Sequence, residues 1–282
     1  MVEAEIILQV RDLETEFITD DGTVKVLHGV NFDVKQGRTL GLVGESGCGK
    51  SVTSMSILGL LPKPYGNVTR GKILYKGTDL LGLPPEQMYA MRGNNISIIF
   101  QDPMTALNPV QTIKAQIDEV LVLHRKELNK KQRLQFSIAM LEKVRIPEPE
   151  KRLTEYPHNL SGGMRQRVMI AMALACKPDI LICDEPTTAL DVTVQASIIA
   201  LMTELQEETG MAIIFITHDL GVVAEMCDDV AVMYEGKIIE QADVFELFDS
   251  PKHPYTQKLL RLMPNLDNPP KQMITIDFPH GS

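Results

Sequence analysis

An α/β fold built on strands buried on both faces is predicted by three features of this 282-residue sequence. Short continuous apolar runs at Thr39 to Val43, Ile96 to Phe100, Ile180 to Cys183 and Ala212 to Thr217 read as strands covered on both sides. Between them lie segments of helical period, Ser51 to Leu61, Leu160 to Ala175 and Val194 to Glu208. Joining the first strand to the first helix is a glycine-rich run, Gly44-Glu45-Ser46-Gly47-Cys48-Gly49-Lys50-Ser51, in which four residues separate two glycines and Lys-Ser follows.

In chain order, Ile6 to Val34 alternates. Leu13, Thr15 and Phe17 stand against Glu14 and Glu16, then Val30, Phe32 and Val34 against Asn31, Asp33 and Lys35, the period of half-buried antiparallel strands. Asp20-Asp21-Gly22 supplies their turn. Phe17 has two readings of equal weight, an aromatic that stacks on an adenine and a phenylalanine of the sheet core.

The strand Thr39 to Val43 then delivers the glycine-rich run. Its glycines let the backbone curl with N–H groups pointing inward, and the helix that begins at Ser51 and Val52 adds its positive end. Gly44, Glu45, Ser46, Gly47, Cys48, Gly49, Lys50, Ser51 and Val52 are therefore expected to cradle nucleotide phosphates. Lys50 should reach the β- and γ-phosphates, and Ser51 should offer its hydroxyl to Mg²⁺, a hard ion that prefers oxygen. The helix is expected to stop at Pro62, and Cys48 is expected to be exposed and open to modification.

A short strand pair surrounds Gly71 to Thr78. The strand Ile96 to Phe100 ends at Gln101, followed by Asp102-Pro103-Met104-Thr105-Ala106-Leu107-Asn108-Pro109, which cannot continue it. A glutamine at the carboxyl end of a strand faces ligand in open α/β sheets. Beyond Pro109 the period changes: Ile113, Ile117 and Val120 share one helical face and Leu134, Ile138 and Leu141 another, until Pro147 and Pro149 end a small helical insert. Its charged flanks, Lys130-Lys131 and Arg133, read as a solvated face.

Leu160 to Gln166 opens the next helix with Ser161 as its N-cap, and Gly162 and Gly163 leave the backbone uncovered, a second phosphate-binding helix start. The strand Ile180 to Cys183 delivers Asp184 and Glu185 to its carboxyl end. Asp184 is suited to holding Mg²⁺ through its waters, and Glu185 to orienting the water that attacks the γ-phosphate or accepting its proton. The strand Ala212 to Thr217 delivers His218 to the same edge, followed by Asp219. Val230 to Tyr234 and Lys237 to Glu240 read as a hairpin about Glu235-Gly236. From Ser250 onward, prolines at 251, 254, 264, 269 and 270 predict a docked or loosely ordered tail.

Composition narrows the class. With 44% hydrophobic residues the chain buries a real core, and no run of eighteen apolar residues offers a membrane span. The start Met-Val-Glu-Ala-Glu lacks a secretory pattern and points to the cytoplasm. A formal charge of −9 argues against a general nucleic-acid binder. Cys48, Cys176, Cys183 and Cys227 match no metal spacing and read as reduced thiols.

The phosphate loop, Gln101, the run Leu160 to Gln166, Asp184-Glu185, the turn Ala189-Leu190-Asp191 and His218, in this order, resemble the ATP-binding subunit of ABC transporters through nearly the whole chain. Phe100 to Pro109, Tyr156-Pro157-His158, Asp184 to Asp191 and His253-Pro254-Tyr255-Thr256 resemble more narrowly the oligopeptide, dipeptide and nickel importers. Met164 and Val52-Thr53 resemble the first of the two ATPases such importers carry.

The resemblance implies a P-loop NTPase core of the ABC ATPase kind, with an antiparallel β subdomain and a helical subdomain insert at about 102–165. The ATPase domain would span 1–250 and a C-terminal extension 251–282. Implied ligands are ATP and Mg²⁺, the metal held by Ser51, Gln101 and Asp184. A head-to-tail dimer is implied in which Ser161, Gly162 and Gly163 grip the γ-phosphate on the partner's loop. Glu185 would be the general base, assisted by His218, with Gln101 and Lys50 completing the catalytic set. Expected partners are two transmembrane permease subunits, a second ATPase chain, different or identical, and indirectly an extracytoplasmic solute-binding protein. The chain would sit peripherally on the cytoplasmic face of the inner membrane.

Peptide is the expected solute. Peptide importers of this group often continue into a cysteine-rich tail, and with no cysteine after Cys227 the alternative is nickel or another small solute. A rival reading, a soluble ABC-type clamp on nucleic acid or a ribosome, calls for a second cassette or a long coiled-coil insert, and the sequence carries neither.

Overall fold

A computed structural model of the chain describes residues 4–102, 106–187 and 190–261. Strands β1 (Ile6–Thr19) and β2 (Gly22–Lys35) form a hairpin, β3 (Thr39–Val43) leads into helix α1 (Lys50–Leu58), and β4 (Gly66–Tyr75) and β5 (Thr78–Asp79) return to the hairpin. Helix α2 (Pro85–Met91) precedes β6 (Ile96–Ile99). Helices α3 (Ile113–His124), α4 (Lys130–Lys143), α5 (Pro149–Thr154) and α6 (Gly162–Leu174) follow. The chain then alternates through β7 (Ile180–Asp184), α7 (Val192–Thr209), β8 (Ala212–Thr217), α8 (Leu220–Met226), β9 (Asp229–Tyr234) and β10 (Lys237–Asp243). It closes with α9 (Val244–Asp249) and α10 (Pro254–Arg261).

These strands make two sheets, an antiparallel one in the order β2-β1-β4-β5 and a second in the order β10-β9-β3-β8-β7-β6. In the second, β9, β3, β8, β7 and β6 run parallel and only β10 is reversed. Its central strands β3, β8 and β7 are buried from end to end because both faces are covered. Ile180, Ile182, Ile214 and Ile216 pack toward Leu8, Val10, Leu13 and Phe32 of the antiparallel sheet, while Leu181, Cys183, Ile213 and Phe215 pack toward α6, α7 and α8. The α/β reading of the sequence holds, strand for strand at Thr39–Val43 and Ala212–Thr217.

Three expectations shift. Helix α1 ends at Leu58, short of Leu61, because Gly59 turns left-handed at φ 60° and the Leu60 N–H donates back to the Met55 carbonyl at 2.8 Å. Strand β6 stops at Ile99, leaving Phe100 exposed. On α4 the buried residues are Ser137, Met140 and Leu141, and Leu134 is exposed, since α4 packs on α3, α5 and α6 along a narrower stripe than its apolar residues span.

The start of the tail is docked: the Glu240 carboxylate accepts from the backbone N–H groups of Lys252 (2.7 Å) and His253 (2.9 Å), and α10 follows. Pro103, Met104, Thr105, Ala189 and the prolines at 264, 269 and 270 lie outside the described residues. Among the described residues no helix is long and apolar enough to cross a membrane.

Candidate nucleotide site

Four adjacent strands, β3, β8, β7 and β6, each end at one edge of the parallel sheet with a residue singled out from the sequence. After β3 comes the glycine-rich loop, after β8 His218, at the end of β7 Asp184 and Glu185, and after β6 Gln101. The carboxyl edge of an open parallel sheet is where such folds bind ligands.

The loop is shaped by its glycines. Gly49 caps α1 at φ 110°, and a Cβ there would meet Leu27 Cδ2 at 2.7 Å; one on Gly44 would sit 2.2 Å from the Met233 carbonyl oxygen. Only glycine allows the loop to lie this close to β2 and β9. Ser46 and Gly47 are exposed at its rim, Glu45, Ser51 and Val52 half-buried. Lys50 is buried and its ammonium donates to the loop's own carbonyls, Gly44 O at 2.8 Å and Glu45 O at 3.0 Å. Its charge is thus held at the mouth of the loop.

Across the loop, Ser51 Oγ lies 3.0 Å from Asp184 Oδ1. Burial pushes the Asp184 carboxyl above its ordinary range; the Ser51 hydrogen bond opposes this and the charge of Glu185 adds to it. Two hard oxygen donors meeting at the end of a phosphate loop suit a cation that keeps waters and bridges phosphates, as Mg²⁺ does.

Glu185 is the focus of the polar groups. Its Oε2 accepts from Gln101 Nε2 at 3.0 Å and its Oε1 lies 3.3 Å from His218 Nδ1. Its backbone stands at φ 47°, a left-handed conformation uncommon for a residue with a Cβ, while its N–H donates to the Ile216 carbonyl at 2.9 Å. That bond to β8 holds the strained residue where both partners reach its carboxylate.

The second helix start is separate from this cluster in its contacts. Ser161 caps α6, its Oγ accepting from the Met164 N–H at 3.3 Å. Among the described residues a Cβ on Gly162 would touch only Leu190, whereas one on Gly163 would press Val194 Cγ1 at 2.8 Å. Ser161, Gly162 and Gly163 line an open hollow with Leu190, Asp191 and Val194.

Two expectations are corrected or narrowed. Cys48 is buried at 8% exposure, turned under the loop beside Gly44 instead of open to modification, and burial raises its thiol pKa. Phe17 lies beside Gly66, which Leu61 and Pro62 also press, and is half-buried. Tyr255 belongs to the tail run His253 to Thr256, to which the sequence assigns no chemical role. The Tyr255 hydroxyl accepts from the Glu45 N–H at 3.2 Å. No local pattern signals a contact between residues 210 apart in the chain.

Comparison with known proteins agrees with this geometry. The family model described as "ABC transporter" matches residues 27–188, and that described as "Oligopeptide/dipeptide transporter, C-terminal region" matches 239–277. The chain is 55% identical over 93% of its length to a probable peptide ABC transporter ATP-binding protein, y4tR, of Sinorhizobium fredii, covering 78% of that protein. It is 53% identical over 97% of its length to the dipeptide transport ATP-binding protein DppD of Bacillus subtilis, covering 81% of it. Among solved structures, the ATP-binding cassette MJ0796, a dimer in a post-hydrolysis state bound to ADP and Pi, superposes with a TM-score of 0.73 at 26% identity. That match covers 84% of this chain and 98% of the other. The cbiO1 protein of Clostridium perfringens, part of the transporter complex cbiONQ, gives a TM-score of 0.73 at 30% identity over 93% of this chain and 97% of that one. A glycine-rich loop and four strand-end residues are thus set in a chain that belongs to the ABC transporter family, in its oligopeptide/dipeptide branch.

Proposed function

We propose that this chain is the ATP-hydrolysing motor of a peptide importer, and that Glu185 is the base of the reaction. The observation that carries the reading is the Glu185 carboxylate fixed between Gln101 and His218 at the strand ends beside the phosphate loop. Glu185 takes the proton of the water whose oxygen attacks the γ-phosphorus, as the bond to the β,γ-bridging oxygen breaks and ADP leaves. His218 keeps the carboxylate turned toward that water, and Gln101 holds its other oxygen. Lys50 offsets charge on the β- and γ-phosphates, within a cradle of loop amides from Gly44 to Ser51 extended by Val52. Ser51, Asp184 and Gln101 would hold Mg²⁺, which supplies charge neutralisation on the transferring phosphoryl oxygens when bound. Phe17 would stack on the adenine.

The open helix start at Ser161, Gly162 and Gly163 suits the γ-phosphate of a nucleotide on a second ATPase subunit, so that two ATP molecules are sandwiched in a head-to-tail pair. Closure of that pair would drive two permease subunits between inward- and outward-facing states, with an extracytoplasmic binding protein supplying solute. The division proposed is an ATPase domain over 1–250, with a helical insert at about 102–165, and an extension from 251. The chain would act at the cytoplasmic face of the membrane.

Peptide as solute is supported by the relatives' names and by the match over 239–277. The test is capture of the tagged chain from detergent-solubilised membranes, followed by uptake in vesicles rebuilt from the captured set. Recovery of two multispanning proteins with ATP-driven uptake of labelled di- or oligopeptide is expected. Uptake of nickel without peptide would replace the solute, and recovery of soluble proteins or ribosomes alone would remove the transport reading.

A further inference from the structure

We propose that the Tyr255 hydroxyl is a positioning group for the phosphate loop, through which the C-terminal strap sets the affinity of the site for ATP. The inference rests on the reading of that loop as the nucleotide site.

The Gly44–Glu45 peptide group is bracketed on both sides. Its N–H, that of Glu45, donates to Tyr255 Oη at 3.2 Å, and its carbonyl, that of Gly44, accepts from Lys50 Nζ at 2.8 Å. The hydroxyl that holds this peptide plane therefore also orients a carbonyl that holds the cation. Burial pushes the Tyr255 phenol up to about 12, so the group stays protonated and accepts through a lone pair.

Tyr255 is itself fixed from several sides. Its ring lies 4.4 Å from that of Tyr234, centroid to centroid, and Leu259 and Leu260 of the same helix pack on the core. Its N–H donates to His253 Nδ1 at 3.1 Å, and His253 and Lys252 hang by their N–H groups from Glu240 of β10. The hairpin between β9 and β10 touches the loop a second time, where the Gly236 N–H donates to the Cys48 carbonyl at 3.0 Å. Both fastenings come from the region that follows the parallel strands, so movement of the strap reaches the loop directly. Nucleotide affinity then depends on whether the strap is docked.

The test is Tyr255→Phe in the full chain, which removes one oxygen and keeps the ring against Tyr234. ATP affinity of the purified chain, KM and kcat of the assembled transporter and the nucleotide-free melting temperature are measured together. Loss of one hydrogen bond to a loop amide predicts about three- to tenfold weaker ATP binding and a matching rise in KM. Turnover at saturation stays within about twofold and the nucleotide-free melting temperature within about one degree. Unchanged affinity, a fall in kcat at constant KM, or a drop in melting temperature that accounts for the lost affinity would each overturn the proposal. A wild-type chain that bound no ATP would instead sink the nucleotide reading, and this inference with it.

Discussion

Ser51 Oγ and Asp184 Oδ1, 133 residues apart in the chain, stand 3.0 Å from each other where the phosphate loop meets the end of β7. Asp184 is 7% exposed, and burial raises its carboxyl above the ordinary value. For an acid raised in the folded state, the folded chain binds more protons than the unfolded one between the two pKa values, so stability falls as pH climbs through that window and stays lower above it. Asp184→Asn removes the buried charge and keeps an oxygen for Ser51. The nucleotide-free variant is expected to melt about 1–4 °C higher at pH 7, with the gain shrinking toward pH 4, while Mg²⁺-dependent hydrolysis falls at least about a hundredfold. Melting curves across pH and phosphate release check the two halves; a destabilised variant at pH 7 would count against the electrostatic account.

Glu185→Gln tests the base. The amide keeps the size of the side chain and a carbonyl oxygen for Gln101, but cannot take a proton. Turnover is expected to fall by about 10²–10⁴ while ATP affinity stays near that of the wild type. The variant should then accumulate as an ATP-bound closed dimer when a suitable partner ATPase is present, seen as an ATP-dependent shift in size-exclusion chromatography. Undiminished phosphate release would remove Glu185 from this role.

Most of the site was legible because its residues are punctuated locally. Gly44 to Ser51 is contiguous, and Gln101, Asp184, Glu185 and His218 each follow an apolar run whose end can be seen in the sequence. The left-handed φ of Glu185 and its hydrogen bonds to Gln101 and His218 depend on three strands being neighbours, which no single run specifies. The same holds for Phe17, whose surroundings are set by the register of β1 against Gly66 of β4. Tyr255 was visible only as part of a short run in a tail, since its contact with Glu45 exists only once β9, β10 and α10 have folded back. The end of α1 was misjudged because proline is the louder stop signal, and Gly59 acts three residues earlier.

The two sheets are joined at the start of β7 by Asp179, which accepts from the Tyr75 hydroxyl of β4 and from Lys76 Nζ at 2.9 Å. Burial, the largest single influence, raises its carboxyl, but the hydrogen bonds from Tyr75 and Lys76, the charge of Lys76 and a hydrogen bond from Asn95 together hold the pKa below the ordinary value. A depressed acid contributes stability that is present above its unfolded pKa and lost as pH falls through the folded one. Asp179→Ala is expected to lower the melting temperature by about 3–6 °C at pH 7. The gap to wild type should close below about pH 3.5, which a series of calorimetric scans would reveal.

Gly163 and Val194 separate a steric role from a phosphate-binding one at the second helix start. A Cβ at position 163 falls 2.8 Å from Val194 Cγ1, too close for a real contact, whereas the neighbouring Gly162 has 3.9 Å to Leu190. Gly163→Ala therefore forces the start of α7 or the Val194 side chain to shift within the same hollow. The phosphate loop of the same chain draws its contacts from β2, β9 and α10, so ATP affinity of the isolated variant should stay within about twofold of wild type. Hydrolysis by the assembled pair should fall by about 10- to 100-fold, because the displaced hollow meets the nucleotide of the other subunit. Adding Val194→Ala relieves the clash and should return most of that loss if sterics alone are at fault. Failure of the double variant to recover, measured as phosphate release with the partner present, would mean that the bare backbone at 163 is needed for the nucleotide itself.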